Sequence, residues 1–231
     1  RYHRWIKKMN RKELYNSKKT KSNNFIFSEF YIKKIYEAGK KLRELENDIE
    51  NFKLYKSIDR KIYALNTVED SSIVLEIGGG YRDLAFDVFK EKSGIVFYES
   101  EIDKDASRMM EDFYQNKPYL DEKGNRFYSV YSSEKSTELE EIKFDYIIMV
   151  STFHHFRFPE EMLQSIRKSC DFSTQIMVHE EFEPAFNPFV RVCNDAMDKK
   201  EVLALFKKHG FELKEEKKTS STTRYFRFQT E

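Results

Sequence analysis

The run Ile73-Val74-Leu75-Glu76-Ile77, followed by Gly78-Gly79-Gly80, constrains this chain more than any other feature. Five residues with no polar alternation read as a strand buried on both faces, and such strands belong to parallel sheets covered by helices on each side. Three glycines at its end mark a tight turn, and bare backbone there permits positive φ and the close approach of a ligand. In open α/β sheets that position, the carboxyl end of a central strand, is where ligands bind.

The residues after this run repeat the pattern. Apolar runs at Ile95–Tyr98, Phe127–Tyr131, Phe144–Val150 and Gln175–Val178 predict strands, with helices over Arg82–Lys92, Asp103–Gln115 and Pro159–Lys168 between them. Glu201–His209 predicts a helix stopped by Gly210, and Phe211–Glu216 with Thr222–Phe228 predicts a closing hairpin. The expected fold is α/β, a Rossmann-like, seven-stranded, mostly parallel sheet with an antiparallel terminal hairpin. Ahead of it, Ser28–Tyr55 and Ile58–Leu65 carry helical periodicity and predict a helical N-terminal cap. The division is expected at residues 66 and 67: a helical segment or lid before, the sheet domain after.

Composition excludes several classes. With 39% hydrophobic and 35% charged residues, the chain is expected to be globular and soluble rather than disordered. No apolar run reaches the roughly 20 residues of a spanning helix, and the Lys/Arg-rich residues 1–21 do not read as a signal peptide. Cys170 and Cys193 sit at no metal-ligand or disulfide-framework spacing, so reduced thiols in a cytoplasm are expected. A net charge of +1 gives no overall electrostatic case for nucleic acid.

Val74-Leu75-Glu76-Ile77-Gly78-Gly79-Gly80 resembles the first motif of class I S-adenosylmethionine-dependent methyltransferases, an acid ahead of a Gly-x-Gly turn. Glu99-Ser100-Glu101-Ile102-Asp103 ends the next strand, where the family places an acid that accepts from both ribose hydroxyls. Glu101 sits in the family's acid-Ile register and Glu99 is nearer its spacing; Glu101 is favoured and Glu99 kept. Phe144 to Phe156, with Ser151 and His154-His155, resembles the family's fourth strand and following loop, and Lys208-His209-Gly210-Phe211 resembles its end. The resemblance covers about residues 66–231. It departs from the family at 126–133, where no Asp is available near the adenine amino group and Ser129, Ser132 and Ser133 are the candidates to substitute.

The resemblance implies S-adenosylmethionine as cofactor, held by Glu76, Gly78, Gly79, Gly80, Glu99, Glu101, Ser132 and Ser151. A dinucleotide is disfavoured, because the third glycine of Gly-x-Gly-x-x-Gly is replaced by Asp83, whose charge repels a pyrophosphate. Methyl transfer needs alignment and, for a hydroxyl or amine, removal of a proton. His154, His155, His179 and Glu180, at the ends of the fourth and fifth strands, are the candidate bases. A metal held by His155, His179 and Glu180 is the alternative; no Asp-rich spacing accompanies them, so none is expected. Phe186 and Arg191, in the proline-stiffened segment 181–191, are candidates for an acceptor pocket, with Arg191 able to pair with an anion. Tyr55, Arg60 and Tyr63 are candidate lid residues.

The function expected is methyl transfer to a small metabolite, with oxygen favoured over nitrogen or carbon and an anionic acceptor suggested by Arg191 and the basic N-terminus. The rivals are a nucleic-acid methyltransferase, suggested by the basic N-terminus but lacking an Asn/Asp-Pro-Pro-aromatic motif after strand four, and a non-catalytic binding module of the same fold.

Overall fold

The computed structural model describes residues 67–79, 84–115, 120, 122–182, 197–219 and 223–231. The N-terminal helices expected over 28–55 and 58–65, with Tyr55, Arg60 and Tyr63, lie outside the described residues, as do Gly80, Asp83, Phe186, Arg191 and Cys193.

The elements are β1 (Ile73–Ile77), α1 (Leu84–Glu91), β2 (Val96–Glu101), α2 (Lys104–Gln115), β3 (Arg126–Tyr131), β4 (Tyr146–Val150), a 3₁₀ turn (Phe153–His155), α3 (Pro159–Lys168), β5 (Gln175–Glu181), α4 (Lys199–Lys208), β6 (Phe211–Lys218) and β7 (Thr223–Thr230). They form a seven-stranded sheet of order β3-β2-β1-β4-β5-β7-β6. The first five strands run parallel, and β7 pairs antiparallel with both β5 and β6. The chain leaves β1 toward β2 and β3, then returns to β4 on the other side of β1. The carboxyl ends of β1 and β4 therefore flank the crevice that such a reversal opens.

Strand alternation sorts the core into two layers. On one face Leu75, Ile77, Ile147, Met149, Ile176, Val178, Phe226 and Phe228 pack against Leu163 and Ile166 of α3 and Val202 and Phe206 of α4. Phe206 stacks on Phe228 with ring centroids 4.1 Å apart and also meets Phe153 of the 3₁₀ turn. On the other face Phe97 meets Phe89 of α1, and Phe127 meets Tyr114 of α2. Residues 132–145 join β3 to β4 without a helix, and hydrogen bonds fasten this segment to α3. Ser165 Oγ donates to Glu140, and Thr137 N donates to Ser165 Oγ at 3.0 Å. Burial pushes the Glu140 carboxyl up, but bonds from Ser136 and Ser165 outweigh it and hold it below the usual carboxylate range.

Side-chain caps set where the strands begin. Asp145 accepts from Ile73 N at 2.7 Å, and Asn125 accepts from Ile95 N at 2.8 Å while donating to Lys92 O at 3.1 Å. The N-cap Asp198 accepts from Lys200 N and Glu201 N to start α4. At the outer edge, β6 is rich in Lys and Glu and carries an irregularity between Leu213 and Glu215, which discourages pairing with another strand.

Cys170 is buried at the end of α3, its thiol donating to Ile166 O at 3.1 Å. Burial pushes the thiol up to about 12, so almost no reactive thiolate forms at neutral pH. In a Cys193→Ser background, Cys170 is expected to resist a disulfide-exchange reagent at pH 8 and to react at once in denaturant; equal rates in both conditions would contradict its burial. No helix among the described residues is long and apolar enough to cross a membrane.

Candidate active site

Glu76 on β1 and Glu99 on β2 occupy paired positions in the parallel register, so their side chains share one face of the sheet. Both are buried. A Cβ at Gly79 would lie 2.4 Å from Glu99 Oε1 and 3.0 Å from the Glu76 carboxylate. Bare backbone and two carboxylates thus meet at one point beyond the end of β1, a cradle that any side chain at position 79 would fill.

Glu101, on the same face two residues further along β2, has a different task. Its Oε1 accepts from Asp103 N at 3.0 Å, and its carbonyl accepts from Ser132 N at 2.8 Å. It therefore shapes the turn into α2, and Ser132, buried at the end of β3, is held beside it. Of the other serines considered near an adenine, Ser129 bonds to Glu111 and Ser107 of α2, and Ser133 Oγ accepts from Ser136 N within its own turn.

Gly78 is required for a reason internal to the fold. Its φ is +67°, and a Cβ there would come within 2.4 Å of Thr152 Cγ2. Thr152 Oγ1 donates to Gly78 O at 3.2 Å and lies 3.1 Å from Val150 O, tying the β1 and β4 ends together. Gly78→Ala is expected to cost roughly 2–4 kcal/mol, from the left-handed backbone and the collision with Thr152; a urea midpoint unchanged from wild type would contradict this. Thr152 was not singled out in the sequence, because a threonine after a strand carries no signal of its long-range partner.

Ser151, at the end of β4, also has a left-handed backbone, with φ +52°. Its N–H donates to His179 O at 2.7 Å, and its Oγ is buried with no hydrogen-bond partner among the described residues. Holding a non-glycine residue in this region costs of order 1 kcal/mol and is most often found at functional sites.

The structure separates the four candidate bases. Val178 belongs to the α3/α4 core, so Glu180, two residues on, shares that face, and His179 between them points to the other. Glu180 is 1% exposed and contacts His154 twice: Oε1 is bonded to Nδ1 of the ring, and Oε2 accepts from His154 N at 3.4 Å. Oε1 accepts from Glu181 N as well, at 2.9 Å. The half-buried His155 ring lies 3.8 Å from that of His154, centroid to centroid. His179 Nε2 is 3.1 Å from Thr219 Oγ1, so His179 pins the end of the β6–β7 hairpin. With His179 and Glu180 on opposite faces, the metal-ligand set of His155, His179 and Glu180 is not assembled, and among the described residues no group of three or more potential ligands is placed to hold an ion.

Four buried glutamates, Glu76, Glu99, Glu101 and Glu180, therefore lie at the carboxyl edge of the parallel strands.

A solved S-adenosylmethionine-dependent methyltransferase from Aquifex aeolicus has the same architecture, with a TM-score of 0.64 at 13% identity over 84% of this chain and 98% of its own. The fold is that of the S-adenosylmethionine-dependent methyltransferases. A mitomycin 7-O-methyltransferase matches with a TM-score of 0.62 at 14% identity, over 95% of this chain and 67% of its own. The magnesium protoporphyrin IX methyltransferase of Synechocystis PCC 6803, solved with bound S-adenosylmethionine, matches at 0.53 and 14% identity, over 76% of this chain and 77% of its own. No protein-family model matches the chain, and no curated protein matches it. In this methyltransferase fold the glycine bend, Glu99 and the Thr152–His155 segment all lie at the carboxyl ends of β1, β2 and β4.

Proposed function

We propose that the chain binds S-adenosylmethionine over the ends of β1, β2 and β4 and transfers its methyl group to a small-molecule acceptor, with oxygen favoured over nitrogen or carbon. The observation that carries the reading is the juxtaposition of Glu99 with the bare backbone of Gly79. Two vicinal ribose hydroxyls match the two oxygens of one carboxylate, and the absence of a Cβ leaves the space for them. Glu99 is assigned to the ribose and Glu101 to the local turn. Glu76 shapes the same cradle from the β1 side, and Ser132 and Ser151 remain candidates for holding the rest of the cofactor.

The cofactor, when bound, supplies an electrophilic methyl on a sulfonium. The residues around it have to hold the adenosyl group, exclude water and place the acceptor in line. The neighbours of this fold that are named as methyltransferases, one of them solved with the donor, support this reading. The 7-O-methyltransferase among them supports an oxygen acceptor. Phe186 and Arg191 remain the candidates for the acceptor pocket, and an anionic acceptor is proposed on Arg191 and the basic N-terminus.

Calorimetric titration of the full chain with S-adenosylmethionine and with S-adenosylhomocysteine tests the reading. Binding of both is expected, and no heat from either at millimolar ligand would overturn it.

A further inference from the structure

We propose that His154 is the base that takes the acceptor's proton and that Glu180 is a positioning residue holding it for that task. The inference rests on the methyl-transfer reading and goes beyond it by choosing one base out of four candidates and assigning the acceptor a proton to lose.

Three observations converge. First, Glu180 Oε1 is bonded to His154 Nδ1, and Oε2 accepts from the backbone N–H of the same residue, so one buried carboxylate fixes both the ring and the turn that carries it. A carboxylate bonded to Nδ1 selects the tautomer with its proton there and places the lone pair on Nε2. Second, the turn is anchored at the proposed methyl site. His154 follows Thr152 by two residues, and Thr152 bonds to Gly78 in the glycine bend. Phe153, fully buried between them, packs on Phe206 and Phe156 and leaves the turn little freedom. Third, two of the three alternatives have other tasks: His179 bonds to Thr219 beside the β6–β7 hairpin, and Glu180 has its oxygens turned to His154 and Glu181.

A carboxylate–imidazole pair is of use where a proton has to leave a weakly acidic group, which points to a hydroxyl acceptor in preference to an amine that arrives unprotonated. In the step, the acceptor's O–H bond breaks and its proton passes to Nε2 of His154. The oxygen forms its bond to the methyl carbon while the carbon–sulfur bond breaks, and that electron pair returns to sulfur, leaving a neutral thioether. The Glu180 carboxylate lies beside the new imidazolium and offsets its charge.

The test needs no known acceptor. Full-length protein with ¹⁵N-labelled histidines is compared as its S-adenosylmethionine and S-adenosylhomocysteine complexes, with His154→Gln identifying the resonances. The expected result is an unprotonated Nε2 on His154 whose shift differs between the two complexes, since only one carries the sulfonium methyl. Glu180→Leu should move the proton toward Nε2, and Glu180→Gln, whose amide oxygen still accepts from Nδ1, should restore the original tautomer. A pair that merely braces the fold would not sense the methyl group. Identical His154 shifts in the two complexes, or a protonated Nε2 in the wild type, overturn the proposal while leaving the methyltransferase reading intact. If calorimetry on the same samples shows that neither ligand binds, both fall together.

Discussion

Glu99→Ala is expected to weaken S-adenosylmethionine binding by two to four orders of magnitude, while Glu101→Ala weakens it less than tenfold. The difference follows from what each carboxylate touches. Glu99 lies against the bare backbone of Gly79, where two ribose hydroxyls would donate to it, whereas Glu101 is bonded to Asp103 N at the start of α2. Two hydrogen bonds to a charged group, at about 1.5–3 kcal/mol each, sum to about 3–6 kcal/mol, or roughly a factor of 10² to 10⁴ in affinity. Removing Glu101 loosens the turn into α2 and shows chiefly in stability, where a bond such as that to Asp103 N is worth about 1 kcal/mol. Gly79→Ala supplies an independent check, because its methyl would sit 2.4 Å from Glu99 Oε1 and displace the carboxylate without touching its charge. Calorimetry with S-adenosylhomocysteine on the three variants decides the matter. Loss of binding in Glu101→Ala with Glu99→Ala unaffected would reverse the assignment.

His154→Gln is expected to lower kcat by a factor of about 10² to 10⁴, the usual contribution of a positioned general base, with donor affinity unchanged. Glutamine retains a hydrogen-bonding side chain opposite Glu180 but has no nitrogen able to take a proton. A loss in kcat and kcat/KM together, with KM unchanged, would mean that the group acts in the transition state and not in binding. Release of S-adenosylhomocysteine with a hydroxyl acceptor provides the measurement, and its pH dependence adds a second reading. Any limb of the wild-type profile that belongs to the base should be missing from the glutamine variant. If the variant turns over at the wild-type rate with the same pH profile, alignment alone drives the reaction and His154 is a structural residue.

Much of the fold was legible in the chain because its strands are written in β-branched and aromatic runs and its helices in 3.6-residue periodicity. The ends of β2 and β5 were not visible in hydropathy alone. Apolar content stops at Tyr98 and at Val178, yet β2 continues to Glu101 and β5 to Glu181. Each strand carries three polar residues into the sheet, Glu99-Ser100-Glu101 and His179-Glu180-Glu181, of which only Glu181 is not buried. A hydropathy pattern cannot follow a strand where its residues face a ligand edge rather than a core. The candidate bases looked equivalent because a place at a strand's end does not by itself say whether the alternation of faces continues there. Once β5 is known to extend through Glu180, alternation alone places His179 and Glu180 on opposite faces.

The sequence by itself determined the parallel sheet, the glycine bend at residues 78 and 79 and the presence of acids and histidines near the strand ends. All of these are set by local residue preferences within a few positions. Tertiary structure alone decided that Glu99 and not Glu101 lies over Gly79, that Thr152 forces glycine at 78, and that His154 pairs with Glu180 while His179 pairs with Thr219. These pairings join residues 20 or more positions apart, and a partner at that distance is chosen by strand order and register, which no single segment encodes.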